Sequence, residues 1–214
     1  TDTTVNSSME NPDIQTFEAL EQVITQVHQA GGITHIWPWG DQQRGWTPIN
    51  LSGGINGEED QRLQRYIAAR LGSLVGWSMG YGFDLQEWVG ASQVHGWNDF
   101  MQDQLGWFHF LGGRPGGPIS GTNHTTYNAW NSGLDYSSYQ HHRPTYEVYV
   151  ASLEELPDRP VMSEGRFRIR GRDKDYTQEE TRRGLWHSTM AGGVANIWGN
   201  LQPEGPTGMS SPYP

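Results

Sequence analysis

Apolar residues return along this chain in two alternating rhythms, one at helical spacing and one as short unbroken runs. Phe17, Leu20, Val23, Ile24 and Val27 recur every three to four positions, and Gly31-Gly32 ends the pattern. The run from Ile33 to Trp39 then reads as a buried strand, and the polar stretch from Asp41 to Asn56 as a loop. A second helix is predicted over Glu58 to Leu71, with Leu63, Tyr66, Ile67 and Leu71 on one face and Gly72 behind it. Leu74 to Tyr81 is the next strand, followed by a helix from Leu85 and a strand around Phe108 to Leu111. After a Gly/Pro-rich loop come a strand at Leu134 to Tyr139, a helix at Thr145 to Leu156 and a strand at Arg159 to Ser163. Thr177-Gln-Glu-Glu180 carries the capping-box pattern and opens a further helix, and Val194 to Trp198 forms the last strand.

Strands that alternate with helices in this way imply an α/β fold with a parallel sheet, here one domain over residues 1–214. The polar, Gly- and aromatic-rich loops all follow strands, whereas the helix-to-strand turns are short. Chemistry is therefore expected at the carboxyl ends of the strands.

Composition narrows the partners. Charged residues are only 18% of the chain, mean hydropathy is −0.71 and the net charge is −10, so the polar surface is mostly neutral hydrogen-bonding groups. No basic stretch is long enough to follow a phosphate backbone, which argues against nucleic acid. No apolar run approaches the ~18 residues of a membrane span, and no signal peptide opens the sequence. Cysteine is absent, which excludes disulfides, thiol nucleophiles and cysteine-ligated metals. A secreted or periplasmic setting fits this composition. The chain holds 10 Trp, 9 Tyr and 6 Phe. Buried indoles need a partner for their N–H, whereas a sugar ring offers a flat C–H face with hydroxyls at its rim, which suits an aromatic plate. Trp88, Trp97 and Trp186 fall on predicted helices and are expected to serve packing.

Several constellations carry chemistry. Glu164 follows the strand Arg159-Pro-Val-Met-Ser163 directly, with Arg166 and Arg168 beside it to keep it ionised, as a glycosidase nucleophile requires; the alternative is a surface salt bridge. Asp84 and Glu87 follow the strand before them, and Asp-x-x-Glu is equally the pattern of a helix capping box. Gly76-Trp-Ser78-Met-Gly80 matches the nucleophile elbow of serine hydrolases, but Tyr81 to Asp84 intervenes before the helix, and His187, a candidate base, falls mid-helix. His35-Ile-Trp37-Pro-Trp39-Gly-Asp41-Gln-Gln-Arg44-Gly-Trp46 reads as a sugar-binding loop, with Trp198 as a further plate. Tyr81, His109, Arg114, His124, Tyr136, Tyr139, His141, His142 and Arg143 add polar groups near strand ends, suited to hydroxyls or an acidic group on a substrate. None of these spacings matches a metal signature, Asp173-x-Asp175 included, and no cofactor is expected.

At His35-Ile-Trp-Pro-Trp-Gly, Gly80-Tyr-Gly-Phe-Asp-Leu-Gln-Glu-Trp88, Ser163-Glu-Gly-Arg-Phe-Arg168 and Met190-Ala-Gly-Gly-Val-Ala-Asn-Ile-Trp-Gly199 the chain resembles the (β/α)₈-barrel glycoside hydrolases of the large retaining clan that includes cellulases, within it a bacterial cellulase-like group. The resemblance implies a TIM barrel and a glycosidase with two carboxylates. Glu164 falls where the clan has its nucleophile, after strand seven. After strand four the clan usually has Asn-Glu, whereas this chain reads Tyr81-Gly82-Phe83-Asp84, leaving Asp84 or Glu87 as proton donor, or none. Matched to such a barrel, the chain begins on the helix after strand two and ends after strand eight. About six of eight units are then present, and either strands one and two come from another segment or chain, or the sheet stays open. The expected chemistry is hydrolysis of a polysaccharide or oligosaccharide with retention; the rival is a sugar-binding protein without catalysis.

Overall fold

The computed structural model describes residues 12–40, 45, 47–82, 84–114, 129–139, 145–163 and 177–196. The chain divides near Gly116 into two compact units, each with its own three-stranded parallel sheet.

In the first unit, helix α1 (Ile14–Gln29) starts where the Asp13 side chain accepts the Thr16 N–H at 3.1 Å. It stops at Gly31, whose φ of +85° is the left-handed conformation that glycine adopts without penalty. Its buried face is Phe17 and Ile24; Val23, expected inside, is exposed. Strand β1 (Thr34–Ile36) is shorter than predicted because Pro38 has no N–H for the ladder; one bond, Trp39 N–H to the Tyr81 carbonyl at 3.3 Å, resumes beyond it. Helix α2 (Glu58–Leu71) buries Leu63, Ile67 and Leu71 as the spacing predicted, each stabilising the fold by roughly 1.5–3 kcal/mol. Its first turn holds Glu58, Glu59 and Asp60, which complement the helix dipole.

Strand β2 (Trp77–Gly80) begins only after Gly76, at φ +80°, where a Cβ would stand 2.5 Å from the His28 ring. The Trp77 indole donates to the Leu71 carbonyl at 2.9 Å, which also accepts the Leu74 N–H at 2.9 Å, so the end of α2 is tied to β2. The helix expected from Leu85 forms in two steps. A single 3₁₀ turn (Leu85–Glu87) carries the chain to Gly90, and helix α3 (Ala91–Gln104) follows with Val94, Trp97 and Met101 buried. Strand β3 (Leu111–Gly112) completes the order β1-β2-β3, in register His35↔Ser78 and Met79↔Leu111.

The second unit repeats the plan with strands β4 (Ser137–Tyr139), β5 (Val161–Ser163) and β6 (Ala195–Asn196), and helices α4 (Tyr146–Glu155) and α5 (Gln178–Met190). β4 is aligned by Asn131, whose side chain accepts the Ser138 N–H at 3.1 Å. Tyr139, Val161 and Leu153 form a core between sheet and helix. The predicted capping box is present: Thr177 N–H donates to the Glu180 carboxylate at 2.8 Å, and Glu180 N–H to the Thr177 hydroxyl at 3.1 Å. Trp186 departs from expectation. It lies on α5 but is 61% exposed, because helical periodicity alone does not fix which indole faces the core. Trp97 (1%) and Trp88 (7%) are buried, Trp88 in the turn before α3 rather than on a helix. Among the described residues no helix is long and apolar enough to cross a membrane.

Candidate active site

The carboxyl ends of β1, β2 and β3 bring together Trp37, Trp39, Tyr81, Asp84, Glu87 and Arg114. Trp37 follows β1 on the same face as His35, their rings edge to face at 4.8 Å. Gly80 makes room for it: a Cβ there would lie 2.7 Å from the indole. Trp37 remains partly exposed, as a sugar-stacking plate must.

His35 Nδ1 lies 2.8 Å from Ser78 Oγ across their register pair. Burial pushes the His35 imidazole down to about 4, so it is neutral at pH 7 and pins β1 to β2 as an uncharged hydrogen-bonding group. This corrects the elbow alternative. Ser78 is the second residue of β2, 6% exposed, whereas an elbow serine stands on the turn between strand and helix.

Asp84 sits at φ 51°, ψ 40°, a left-handed conformation that Asp tolerates better than most residues. Its side chain makes no cap bond to the turn it opens. Instead Arg114 Nη2 donates to Asp84 Oδ1 at 3.0 Å, while the Arg114 carbonyl accepts the Leu85 N–H at 3.1 Å. Two elements are thus joined at their carboxyl ends by one residue. Glu87, at the end of the 3₁₀ turn, is exposed.

Trp39 and Tyr81 take other places than the sequence reading gave them. Both were expected to meet substrate, yet they are 2% and 0% exposed, and both side chains run inward to Asp60. Trp39 Nε1–H donates to Asp60 Oδ1 at 2.9 Å and the Tyr81 hydroxyl to Oδ2. Burial and the Asp60 carboxylate push the Tyr81 phenol well above its ordinary value. Sequence reasoning missed Asp60, although its signal was there. Positions 60, 63, 67 and 71 share one helical face, so the third acid of the first turn points with the leucines.

His109 is also displaced. The ladder of β3 begins after it, and its ring stacks on Trp77 at 4.2 Å with Nε2 at 2.9 Å from Trp107 Nε1, at the amino end of the sheet, away from the site. In the second unit Tyr136 (1%) and Tyr139 (2%) are likewise buried. The Tyr139 hydroxyl donates to the Ser152 carbonyl of α4 at 3.3 Å, and burial raises its pKa, so strand alternation has turned it to the helix layer. Ser163, the last residue of β5, contacts Tyr149 of α4 at 2.8 Å. Glu164, Arg166, Arg44, Trp46, His124, His141 and Trp198 lie outside the described residues. Among the described residues no three His, Asp or Glu side chains gather as metal ligands.

The sequence matches no protein-family profile and no curated protein. Solved structures do resemble it. A glycoside hydrolase family 5 protein from Bacteroides vulgatus ATCC 8482 superposes with a TM-score of 0.59 at 16% identity, over 94% of this chain and 47% of that one. A hyperthermostable endo-1,4-beta-D-mannanase from Thermotoga petrophila RKU-1, solved with maltose and glycerol, superposes with a TM-score of 0.57 at 12% identity, over 94% and 73%. The chain therefore has the α/β fold of the cellulase-like TIM barrels of glycoside hydrolase family 5 and covers part of such a barrel. It spans about half the length of the first of these structures.

Proposed function

We propose that this chain supplies a large part of a glycosidase that hydrolyses a polysaccharide or oligosaccharide with retention. The observation that carries the reading is the fold, whose similar structures are glycoside hydrolases, together with carboxylates that follow its strands: Asp84 and Glu87 after β2, and Glu164 directly after β5. In this reading Glu164 attacks the anomeric carbon and Asp84 or Glu87 protonates the leaving oxygen, the division of roles that retention demands. Glu87 is the better placed donor, being exposed where Asp84 is buried against Arg114. Trp37 is proposed to stack on the sugar, and Arg44, Trp46, Arg166, His124, His141 and Trp198 to be further substrate-binding residues. A β-1,4-linked mannan is the first substrate to try, because one similar structure is a mannanase. A secreted or periplasmic location suits a polymer substrate.

Turnover of soluble β-1,4-mannan and β-1,4-glucan by the protein and its Glu164→Gln variant tests this, with product anomers read by NMR. A loss of about a thousand-fold or more is expected. Unchanged turnover removes Glu164 from the mechanism.

The reading includes a second segment or chain that supplies the remaining strands. In its support, Ile33 beside β1 and Val194 beside β6 are 72% and 65% exposed, at the outer strand of each sheet. Light scattering of the active protein tests it: full activity at the 24.1 kDa mass of a single chain overturns that part.

A sugar-binding protein without catalysis is the second reading, favoured by the Arg114 tie on Asp84 where the clan has Asn-Glu. Calorimetric binding of a glycan with no product from it supports that alternative.

A further inference from the structure

Asp60 is fully buried, yet among the described residues it is a carboxylate that accepts from four uncharged donors. Oδ1 takes Trp39 Nε1–H at 2.9 Å and Gln64 Nε2–H at 3.1 Å; Oδ2 takes the Asn56 N–H at 2.9 Å and the Tyr81 hydroxyl. A buried carboxylate is costly unless its lone pairs are filled, so the four donors are held in place as firmly as they hold it. What they belong to is the point. Trp39 closes the segment after β1, Tyr81 the end of β2, and Asn56 the loop that leads into α2. Gln64 carries the network on to α3 by accepting Trp97 Nε1–H at 3.1 Å, and Trp97 stacks on Tyr81 at 4.8 Å. Tyr81 is in turn bonded through its backbone to Trp39 on one side and Gly112 on the other.

We infer that Asp60 is a positioning residue: it fixes the Trp39 and Tyr81 anchors from behind, and through them the carboxyl ends of β1 and β2 that present Trp37 and Asp84. Its link to turnover rests on the glycosidase reading above; its hold on the anchors does not. No side chain on the open face needs to touch Asp60 for this. The carboxylate does for two loops what a main-chain ladder does for two strands, which matters here because Pro38 and Gly82 interrupt the regular pairing where the site begins.

The test is hydrogen exchange of indole N–H groups in the Asp60→Asn variant, with the Trp39 signal assigned by Trp39→Phe. The amide offers a donor where a donor already points, so Trp39 exchange is expected to speed up ten-fold or more. Trp77, whose indole bonds to backbone carbonyls in the same unit, is expected to stay within three-fold. Trp39 and Trp77 moving together, or neither moving, overturns the proposal. Tyr81→Phe serves should Asp60→Asn not fold: it removes a donor to Oδ2 only, so Trp39 on Oδ1 is expected to keep its protection within three-fold, and an equal loss there overturns the shared-anchor geometry. On soluble β-1,4-mannan, Asp60→Asn is expected to lower kcat ten-fold or more with KM within three-fold; unchanged kcat with a faster Trp39 overturns the link to the site. A parent protein that cleaves no glycan defeats the glycosidase reading alone, and the indole exchange still decides whether Asp60 holds the anchors.

Discussion

Arg114 grips the turn after β2 at two points, its guanidinium on Asp84 and its carbonyl on the N–H of Leu85. Both side chains of the pair are mostly buried, 16% and 11% exposed, so removing one partner takes a counterion from a charge that little water reaches. Arg114→Met is expected to lower stability by about 2–4 kcal/mol, and adding Asp84→Asn to recover part of that loss. Urea unfolding of the two single variants and the double variant measures the coupling; additive losses show that the pair contributes nothing as a pair.

His35 makes stability depend on pH. Its folded pKa of about 4 lies below the 6.5 of an exposed imidazole, so the unfolded chain binds a proton in this range that the folded chain does not. The contribution is complete above pH 6.5 and is lost as pH falls toward 4, on the order of 2–3 kcal/mol across the window. His35→Gln is expected to flatten that part of the urea-midpoint profile. Equal slopes in parent and variant assign the acid sensitivity to other groups.

The alternation of strands and helices was legible because burial leaves a periodic trace, and so was the location of polar residues at strand ends. The direction of each side chain at those ends was not. Trp39 and Tyr81 carry the same residue types as a sugar platform, and what turns them inward is Asp60, 21 residues away from each. His109 was misplaced for a smaller reason. A strand only two residues long shifts the ladder past it, and the end of a strand is what defines the site. Asp84 illustrates the opposite case: its spacing to Glu87 suggested a cap, and a partner 30 residues on, which no local pattern encodes, took the side chain instead.

Two tryptophans on helices make a direct comparison. Trp97 is 1% exposed and donates to Gln64, whereas Trp186 is 61% exposed. Trp97→Ala is expected to cost about 3–5 kcal/mol, and Trp186→Ala to stay within about 0.5 kcal/mol. Denaturant midpoints of the two variants check this, and a large loss at Trp186 would mean that its face of α5 is covered in the working protein.

Asp84 and Glu87 are separable by leaving group. A proton donor matters most when the departing alkoxide is a poor leaving group and least for an activated aryl glycoside, because the latter departs without protonation. With Glu87 as the donor, Glu87→Gln is expected to lower turnover of a polysaccharide by about a hundred-fold or more while an activated aryl substrate loses far less. Asp84→Asn then acts through the Arg114 tie and lowers both substrates by a similar factor, since a displaced loop does not distinguish leaving groups. The reverse pattern, with selectivity for leaving group at Asp84, assigns the proton to Asp84 and leaves Glu87 as a surface carboxylate. Equal losses on both substrates in both variants would remove each from proton transfer.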